Sequence, residues 1–309
     1  MRVLVLGAGG IGGYFGARLI ERGHEVTFLV RPARAAILAR NGLRVHSARG
    51  DFSRPVDAAM VVGPHVPYEL VLVSCKAYDL DSAISSISPA VTAETRVLPL
   101  LNGLRHLDGL DAAFGASHVI GGLCHISVTL EDDGAIRQFG ALERLTFGTR
   151  DTAPVPAAIR SGLLGLGEHV VESPTIMTTM WEKFAFIATL AGMTCVMRGS
   201  VGEIVATPEG ADLARAFYAE CSEIARRSGH ALSAEAMVDA ARILTTSGSP
   251  LKASMLRDLE RGACTECEHI LGDLRARACG HAFDTPLPAG ALTHLRVYEN
   301  ARLTVGVSG

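Results

Sequence analysis

The chain has 309 residues, 48% of them hydrophobic and 20% charged, and a formal net charge of −3. This length exceeds one ordinary hydrophobic core, so it predicts about two domains in a globular protein. The balanced charge lacks the basic surface needed to bind a phosphate backbone, so we expect no nucleic acid partner.

The chain begins directly on a strand-like run, Met-Arg-Val-Leu-Val-Leu-Gly, which does not resemble a cleavable leader. Its longest uncharged apolar run, Phe184 to Met197, is shorter than the roughly 20 residues that cross a bilayer. We therefore expect a buried helix there and no membrane partner. The seven cysteines are odd in number and scattered, which favours reduced thiols in the cytoplasm. Cys264 and Cys267, with His269 close by, form only half of a zinc pattern, so we expect no metal.

Short apolar runs alternate with helical stretches up to about residue 150, which is typical of βαβ units around a parallel sheet. The predicted strands are Arg2–Leu6, Glu25–Val30, Leu70–Cys75, Arg96–Leu100 and His118–Gly122. Polar and apolar residues then alternate from Ile126 to Phe147 around Asp132-Asp133-Gly134, which predicts a hairpin that extends this sheet. After a break at 150–156, we expect a short helix and a strand near 169–172.

Beyond Ser173 the strand patterns end and helical patterns follow one another, each closed by a Gly, Pro or Ser-Gly-Ser-Pro break. The predicted helices are Met177–Gly199, Thr207–Gly229, Ser233–Thr246, Met255–Gly280 and Pro288–Arg302. The sequence thus predicts an α/β domain with a doubly wound parallel sheet over 1–172, followed by an all-helical domain over 173–309.

A glycine-rich segment follows the first predicted strand and opens the first helix. Its residues are Gly7, Ala8, Gly9, Gly10, Ile11 and Gly12. In this position the spacing predicts a dinucleotide site: the first glycine permits a tight turn, the second lets a pyrophosphate approach, and the third lets helix and strand pack closely. The anion would rest on unpaired amides at the positive end of the helix.

The end of the second predicted strand indicates which dinucleotide is bound. An NAD site places a carboxylate there for the ribose 2′-hydroxyl, whereas this chain has Arg31, with Arg34 a turn later. A guanidinium binds a 2′-phosphate through charge-assisted hydrogen bonds, so the sequence predicts NADP(H). Lys76 and Asn102 follow two further strands, at the sheet edge where such folds bind ligands.

These pieces, together with Trp181-Glu-Lys183 and Ser254-Met-Leu-Arg-Asp followed by Thr265-Glu266, resemble the ketopantoate reductase (2-dehydropantoate 2-reductase) family over essentially the whole chain. The resemblance implies an N-terminal Rossmann domain, a helical C-terminal domain, and NADPH-dependent reduction of a 2-keto acid in the interdomain cleft. It implies that Lys183 is the general acid and that Glu266 touches the cofactor and organises the site. The resemblance also implies roles for four further residues. Lys76 would lie in the cleft and Asn102 would contact cofactor and substrate. The backbone of Ile126 would contact the nicotinamide, and Ser254 would bind the substrate.

The chemistry of carbonyl reduction explains why a lysine is needed. Hydride attack on a ketone builds negative charge on its oxygen, so a cationic N–H donor must stabilise that charge and deliver a proton. A buried lysine can do this when desolvation lowers its pKa and a carboxylate such as Glu266 adjusts it. The apolar residues that follow Lys183 indicate a central helix rather than a solvent-facing one.

The sequence departs from the family at three positions. Family members that reduce ketopantoate carry asparagines there, whereas this chain has Ile187, Ala191 and Val201. Residues four apart share a helix face, so Ile187 and Ala191 are expected to line the substrate site beside Lys183. The remaining polar candidates for substrate contact are Asn102, Thr194 and Ser254. Losing the hydrogen bonds of the asparagines disfavours ketopantoate by about 1–3 kcal/mol each.

The leading hypothesis is therefore an NADPH-dependent reductase of a 2-keto acid or related carbonyl compound that is more apolar than ketopantoate. An authentic 2-dehydropantoate 2-reductase of pantothenate biosynthesis is the alternative enzyme, and a non-catalytic NADP-binding sensor is the alternative from another class. The Trp-Glu-Lys motif and the Ser-Met-Leu-Arg-Asp and Thr-Glu pieces disfavour a β-hydroxyacid dehydrogenase, a third enzyme class with a Rossmann domain and a helical domain. The sequence names no substrate, and it leaves a monomer and a homodimer both open.

Overall fold

The computed structural model describes residues 1–64 and 66–307, which divide into two compact units. The first unit comprises 1–101 and 106–176, and the second comprises 102–105 and 177–309. The observed boundary thus follows residue 176, a little later than the predicted boundary after residue 172. The short segment 102–105 belongs to the second unit, which the sequence did not predict.

The strands of the described residues lie in the first unit. They are β1 (Arg2–Leu6), β2 (Glu25–Leu29), β3 (Leu43–His46), β4 (Phe52–Arg54), β5 (Asp57–Ala59), β6 (Leu70–Val73), β7 (Arg96–Pro99), β8 (Gly121–Leu130), β9 (Ile136–Gly148) and β10 (Val170–Glu172). One sheet is wholly parallel, in the order β5-β2-β1-β6-β7. Every residue of β6, and all but the first of β1, is buried, which explains their continuous apolar sequences. This sheet, with the helices around it, confirms the predicted Rossmann-type fold.

The predicted hairpin is present, but it does not extend the parallel sheet. Strands β8 and β9 pair antiparallel across a turn in which Gly134 has φ +82°. They belong to a second sheet of order β10-β9-β3-β4, with β8 beside β9. Strands β3 and β4, at four and three residues, are too short to show a clear alternation in the sequence. The predicted strand at 118–122 is also displaced, because a 3₁₀ turn, Ala116–His118, precedes β8.

The helices of the first unit begin with the one that follows the glycine-rich segment. They are α1 (Gly10–Glu21), α2 (Pro32–Asn41), α3 (Leu80–Ile87), α4 (Arg105–Phe114), which lies in this unit from its second residue onward, and α5 (Ala157–Leu164). Helix α1 contacts strands of both sheets, and its glycines make that possible. A Cβ on Gly13 would collide with Ile136, and one on Gly16 would lie 2.5 Å from the Phe28 ring. The backbone of α1 therefore packs directly against side chains of both sheets at these two glycines.

A buried polar cluster also holds α1 against β9. The Tyr14 hydroxyl donates to Glu143 Oε2 at 2.7 Å, and Arg49 Nε lies 2.6 Å from the same oxygen. His169 Nε2 lies 2.9 Å from Glu143 Oε1, and burial lowers the pKa of this imidazole. Because a buried carboxylate without partners is costly, these contacts make the position of α1 specific.

The second unit is helical beyond residue 176. Its helices are α6 (Ile176–Met197), α7 (Val201–Val205), α8 (Gly210–Arg227), α9 (Ala234–Leu244), α10 (Ser254–Glu260), α11 (Asp273–Gly280) and α12 (Pro286–Val307), with a π-helical turn at Glu268–Gly272. Helix α6 is long and apolar enough to cross a membrane by length and composition, yet 67% of its apolar window is buried inside the protein. That burial is typical of a core helix, as the sequence predicted.

The predicted single helix from Met255 to Gly280 is wrong. Helix α10 ends at Glu260, the chain turns at Gly262 with φ +69°, and residues 263–266 are not helical. The chain then enters the π-helical turn before α11 begins. The apolar period continues through this break, so the glycine was the sequence's main sign of it.

Candidate functional site

The glycine-rich loop connects β1 to α1, and its three spaced glycines serve different steric needs. Gly7 has φ +89°, a conformation that favours glycine. A Cβ on Gly12 would overlap the Gly7 carbonyl and Ser74 Oγ and would lie 3.1 Å from Val5. A Cβ on Gly9, in contrast, would meet nothing within 4 Å. The loop thus needs glycine at Gly7 for its backbone conformation and at Gly12 for close packing, and it is open at Gly9, as a site for a pyrophosphate requires.

The N-terminus of α1 is suited to an anion. Within the described part of the chain, no side chain caps this helix and its first turn carries no acidic residue. Amides at such an end keep unused donors at the positive pole of the helix dipole. The chain supplies the geometry that a dinucleotide pyrophosphate would need at this end of the loop.

The two arginines after β2 have different environments. Arg34 is half-buried; its Nε donates to the Ala8 carbonyl at 2.9 Å and its Nη1 donates to the Gly134 carbonyl at 2.8 Å. It therefore ties the glycine-rich loop to the β8–β9 turn. Arg31 is exposed, and its Nη2 lies 2.8 Å from Asp79 Oδ1. Of the two, Arg31 is the one placed to meet a ligand from solvent.

Lys76 and Ile126 also lie in the first unit. Lys76 is half-buried and precedes the 3₁₀ turn Ala77–Asp79, which follows β6 at one side of β1. Ile126 lies in β8 opposite Glu143, at the point where the pairing with β9 shifts before Val128. Val128 Cγ2 would lie 3.1 Å from a Cβ on Gly10, so this part of β8 packs against the start of α1.

In the second unit, the Trp-Glu-Lys motif sets the rotation of α6. The Trp181 ring stacks on His230 at 5.9 Å between centroids, and the Arg277 guanidinium lies 5.5 Å from the same ring. Glu182 Oε1 accepts hydrogen bonds from the Ser233 amide and hydroxyl, at 3.1 and 2.7 Å. The first two residues of the motif are therefore structural anchors. They leave Lys183 half-buried between them and the buried Phe184.

The face of α6 beyond Lys183 becomes buried along its length. Ile187, one turn on, is partly exposed, but Ala191 is only 3% exposed and Val201, at the start of α7, is 0% exposed. Thr194 is also 0% exposed, and its hydroxyl donates to the Leu190 carbonyl at 2.7 Å. The Thr194 hydroxyl is thus already satisfied within its own helix, and its contact with substrate stays a prediction. Ile187 is the apolar replacement with surface to offer.

The segment that carries Glu266 is held by α12. The Thr265 amide and hydroxyl both donate to Glu299 Oε1 at 2.7 Å, and the Tyr298 hydroxyl donates to the Ala263 carbonyl at 2.7 Å. The Glu266 carbonyl accepts from the amides of His269 and Ile270, each at 3.1 Å. Glu266 itself is half-buried, and Ser254 is exposed in the first turn of α10.

His269 is a candidate that the sequence suggested only as part of a zinc pattern. Its imidazole is 8% exposed and hydrogen-bonds to the backbone of Asn102. Gly103 has φ +79°, which favours glycine, and a Cβ there would make a tight contact 3.1 Å from His269 Cδ2. Burial lowers the pKa of His269, and the nearby carboxylate of Glu266 opposes that shift. His269 thus packs against the segment that presents Asn102.

The half zinc pattern is not assembled into a metal centre in the described residues, where no group of three or more His, Cys, Asp or Glu could hold a metal ion. Cys267 is buried and Cys264 is half-buried, and burial raises the pKa of both thiols. Neutral thiols in these surroundings are consistent with structural roles.

Comparisons with known proteins cover both units. The family model "Ketopantoate reductase PanE/ApbA" matches residues 3–152, and the model of its C-terminal domain matches residues 175–299. An uncharacterized oxidoreductase of Bacillus subtilis, YkpB, is 35% identical over 301 residues, which are 97% of this chain and 99% of that protein.

Solved structures share the fold over nearly the whole chain. A 2-dehydropantoate 2-reductase from Geobacter metallireducens is 27% identical, with a TM-score of 0.86 over 96% of this chain and 99% of that one. D-mandelate dehydrogenase, solved with NADH and anilino(oxo)acetate, is 19% identical, with a TM-score of 0.88 over 98% and 99% of the two chains. With both family models matched and a relative aligned over nearly its full length, the chain belongs to the ketopantoate reductase family of oxidoreductases.

Proposed function

We propose that this protein is an NADPH-dependent reductase of a 2-keto acid or related carbonyl compound. The observation that carries the proposal is the placement of Lys183, a half-buried lysine on an otherwise largely buried helix whose rotation Trp181 and Glu182 determine. A lysine anchored in this way is suited to proton donation, and membership of an oxidoreductase family supports that role.

The proposed cofactor is NADP(H). The open position at Gly9 and the uncapped N-terminus of α1 support binding of a dinucleotide pyrophosphate. Arg31 stands where NAD-dependent proteins of this fold carry a carboxylate, which supports a 2′-phosphate on the ribose. D-mandelate dehydrogenase, of the same fold, was solved with NADH, so the two cofactors must be compared directly.

The proposed chemistry assigns distinct tasks to the residues of the chain. When bound, the reduced nicotinamide supplies the hydride. Lys183 stabilises the negative charge that develops on the carbonyl oxygen and delivers a proton to it. Glu266 touches the cofactor and places a negative charge near the reacting groups. Asn102, whose backbone is held by His269, supplies a polar contact to cofactor and substrate. Ser254, exposed at the start of α10, is a proposed donor to the substrate.

The proposed substrate carries a larger or less polar group than ketopantoate. Ile187 offers only dispersion contacts and hydrophobic burial where family members have an asparagine. The name of D-mandelate dehydrogenase supports this direction, since mandelate is a 2-hydroxy acid with an apolar ring. The names of several relatives support the alternative, 2-dehydropantoate reduction in pantothenate biosynthesis.

The test is NADPH oxidation with a panel that contains ketopantoate, 2-oxoisovalerate and phenylglyoxylate. We expect kcat/KM for ketopantoate to be at least about 100-fold below that for the best substrate. Comparable values would show that the enzyme is an authentic 2-dehydropantoate 2-reductase. Tight NADPH binding without turnover of any such compound would favour a non-catalytic NADP-binding sensor.

Two expectations accompany this proposal. The partner is a small carbonyl compound rather than nucleic acid or a membrane, and the location is the cytoplasm. Whether the protein acts as a monomer or a homodimer is decided by sedimentation or light scattering at working concentration.

A further inference from the structure

The ion pair between Arg31 and Asp79 joins two loops of the parallel sheet. Arg31 precedes α2, just after β2, and Asp79 ends the 3₁₀ turn after β6. Strands β2 and β6 are the two neighbours of β1, which leads into the glycine-rich loop. Arg31 Nη2 lies 2.8 Å from Asp79 Oδ1, and the two side chains are 75% and 30% exposed. The pair therefore links the loops on either side of the strand that carries the dinucleotide motif.

This contact changes what Arg31 can offer to a ligand. A 2′-phosphate, which carries close to two negative charges at neutral pH, would have to share or replace the Asp79 carboxylate on the guanidinium. The carboxylate would also repel the phosphate at short range. An unphosphorylated ribose experiences neither effect.

We propose that Asp79 is a specificity-determining residue of the cofactor site, which weakens the preference of Arg31 for a 2′-phosphorylated dinucleotide over its unphosphorylated counterpart. This inference rests on the proposed function, since it assumes that Arg31 meets the 2′-phosphate. Asp79 therefore makes the discrimination between NADPH and NADH smaller than Arg31 alone would provide.

Asp79 could instead orient Arg31 for the phosphate, and removal of Asp79 would then change the affinity for NADPH in the opposite direction. If Asp79 served to orient Arg31 for the phosphate, its removal would weaken NADPH binding, because the guanidinium would lose its fixed geometry. If Asp79 competes with the phosphate, its removal strengthens NADPH binding. The direction of the change therefore distinguishes competition from orientation.

The experiment compares Asp79→Asn with Asp81→Asn, which makes the same change of charge at an exposed residue at the start of α3. Dissociation constants for NADPH and NADH are measured by fluorescence titration at one fixed ionic strength, with thermal melts to verify folding. We expect Asp79→Asn to bind NADPH about three- to tenfold more tightly, with NADH changed by less than about twofold. Asp81→Asn should leave both constants unchanged.

A double-mutant cycle with Arg31→Met sharpens the result, because most of the gain from Asp79→Asn should vanish when the guanidinium is absent. Unchanged or weaker NADPH binding in Asp79→Asn, or equal tightening of both dinucleotides, would overturn the inference and leave the proposed function standing. Failure of the unmodified protein to bind either dinucleotide would overturn the proposed function, and this inference with it.

Discussion

The glycine-rich loop of the first unit and the proposed catalytic segments of the second are built in different ways. The loop is defined by its backbone, with a positive φ at Gly7, close packing at Gly12 and open space at Gly9. The second unit instead relies on side chains far apart in sequence, such as Trp181 on His230 and Thr265 on Glu299. A backbone site is specified by the spacing of small residues, whereas a side-chain site depends on the tertiary packing of its supports.

The largest expected effect is that of replacing Lys183, the proposed proton donor of the second unit. Lys183→Met keeps most of the side-chain volume and removes the proton donor, so kcat should fall by about 10²–10⁴ while NADPH affinity changes little. Steady-state kinetics with the best keto acid from the panel provides the readout. Lys252→Met is the matched control. Lys252 lies outside α6, and its Nζ pairs with Glu260 Oε1 at 3.0 Å, so this variant should turn over substrate normally. Normal turnover by Lys183→Met would remove this lysine from the mechanism.

The second prediction separates the two kinds of glycine in the backbone region. Gly9→Ala places its methyl group in open space, so the melting temperature should hold while NADPH binding weakens by about 100-fold, since the anion loses amide hydrogen bonds. Gly12→Ala places its methyl group against the Gly7 carbonyl and should destabilise the fold by about 1–3 kcal/mol. Titration and thermal melts distinguish the two. Equal loss of stability in both variants would contradict the division into open and closed positions.

The same contrast explains what could be predicted from the sequence. The glycine spacing and the buried helix α6 were identified because local patterns encode them. The second sheet was missed because β9 pairs with β3 and β10, strands that only the tertiary fold brings together. The anchoring of Thr265 by Glu299 was missed for the same reason, whereas the break at Gly262 was missed because the apolar period continues through it. The structural role of Arg34 was missed as well, because the carbonyls that it binds, those of Ala8 and Gly134, lie far away in the sequence.

The third prediction concerns His269 as a positioning residue. His269→Phe keeps a ring in the buried site but loses the hydrogen bond to the backbone of Asn102, so the segment should be less well placed. We expect kcat/KM for the keto acid to fall about tenfold, within the cost of one buried hydrogen bond. His269→Gln should recover part of the loss. Equal activity of the Phe variant and the unmodified protein would exclude the role.

The pH dependence of stability gives a second measure of His269. Burial lowers its folded-state pKa, so the neutral form is favoured and stability is lost as pH falls below the unfolded value of about 6.5. His269→Phe should reduce this slope without removing it, because burial also lowers the pKa of His169 and His230. An unchanged slope would show that the nearby carboxylates cancel the effect of burial.

The smallest expected effect tests the proposed substrate face of α6, where a polar group can be introduced at one position with exposed surface. Ile187→Asn should raise kcat/KM for ketopantoate, relative to the best substrate, by about three- to tenfold, the contribution of one hydrogen bond. Ala191→Asn and Val201→Asn are the comparisons, because these positions are 3% and 0% exposed. An amide there must find a buried partner or destabilise the protein, so these variants should lower the melting temperature without improving ketopantoate turnover. If Ala191→Asn improved turnover as much as Ile187→Asn, the second position would also reach the substrate. The burial along α6 would then be a poor guide to where specificity is determined.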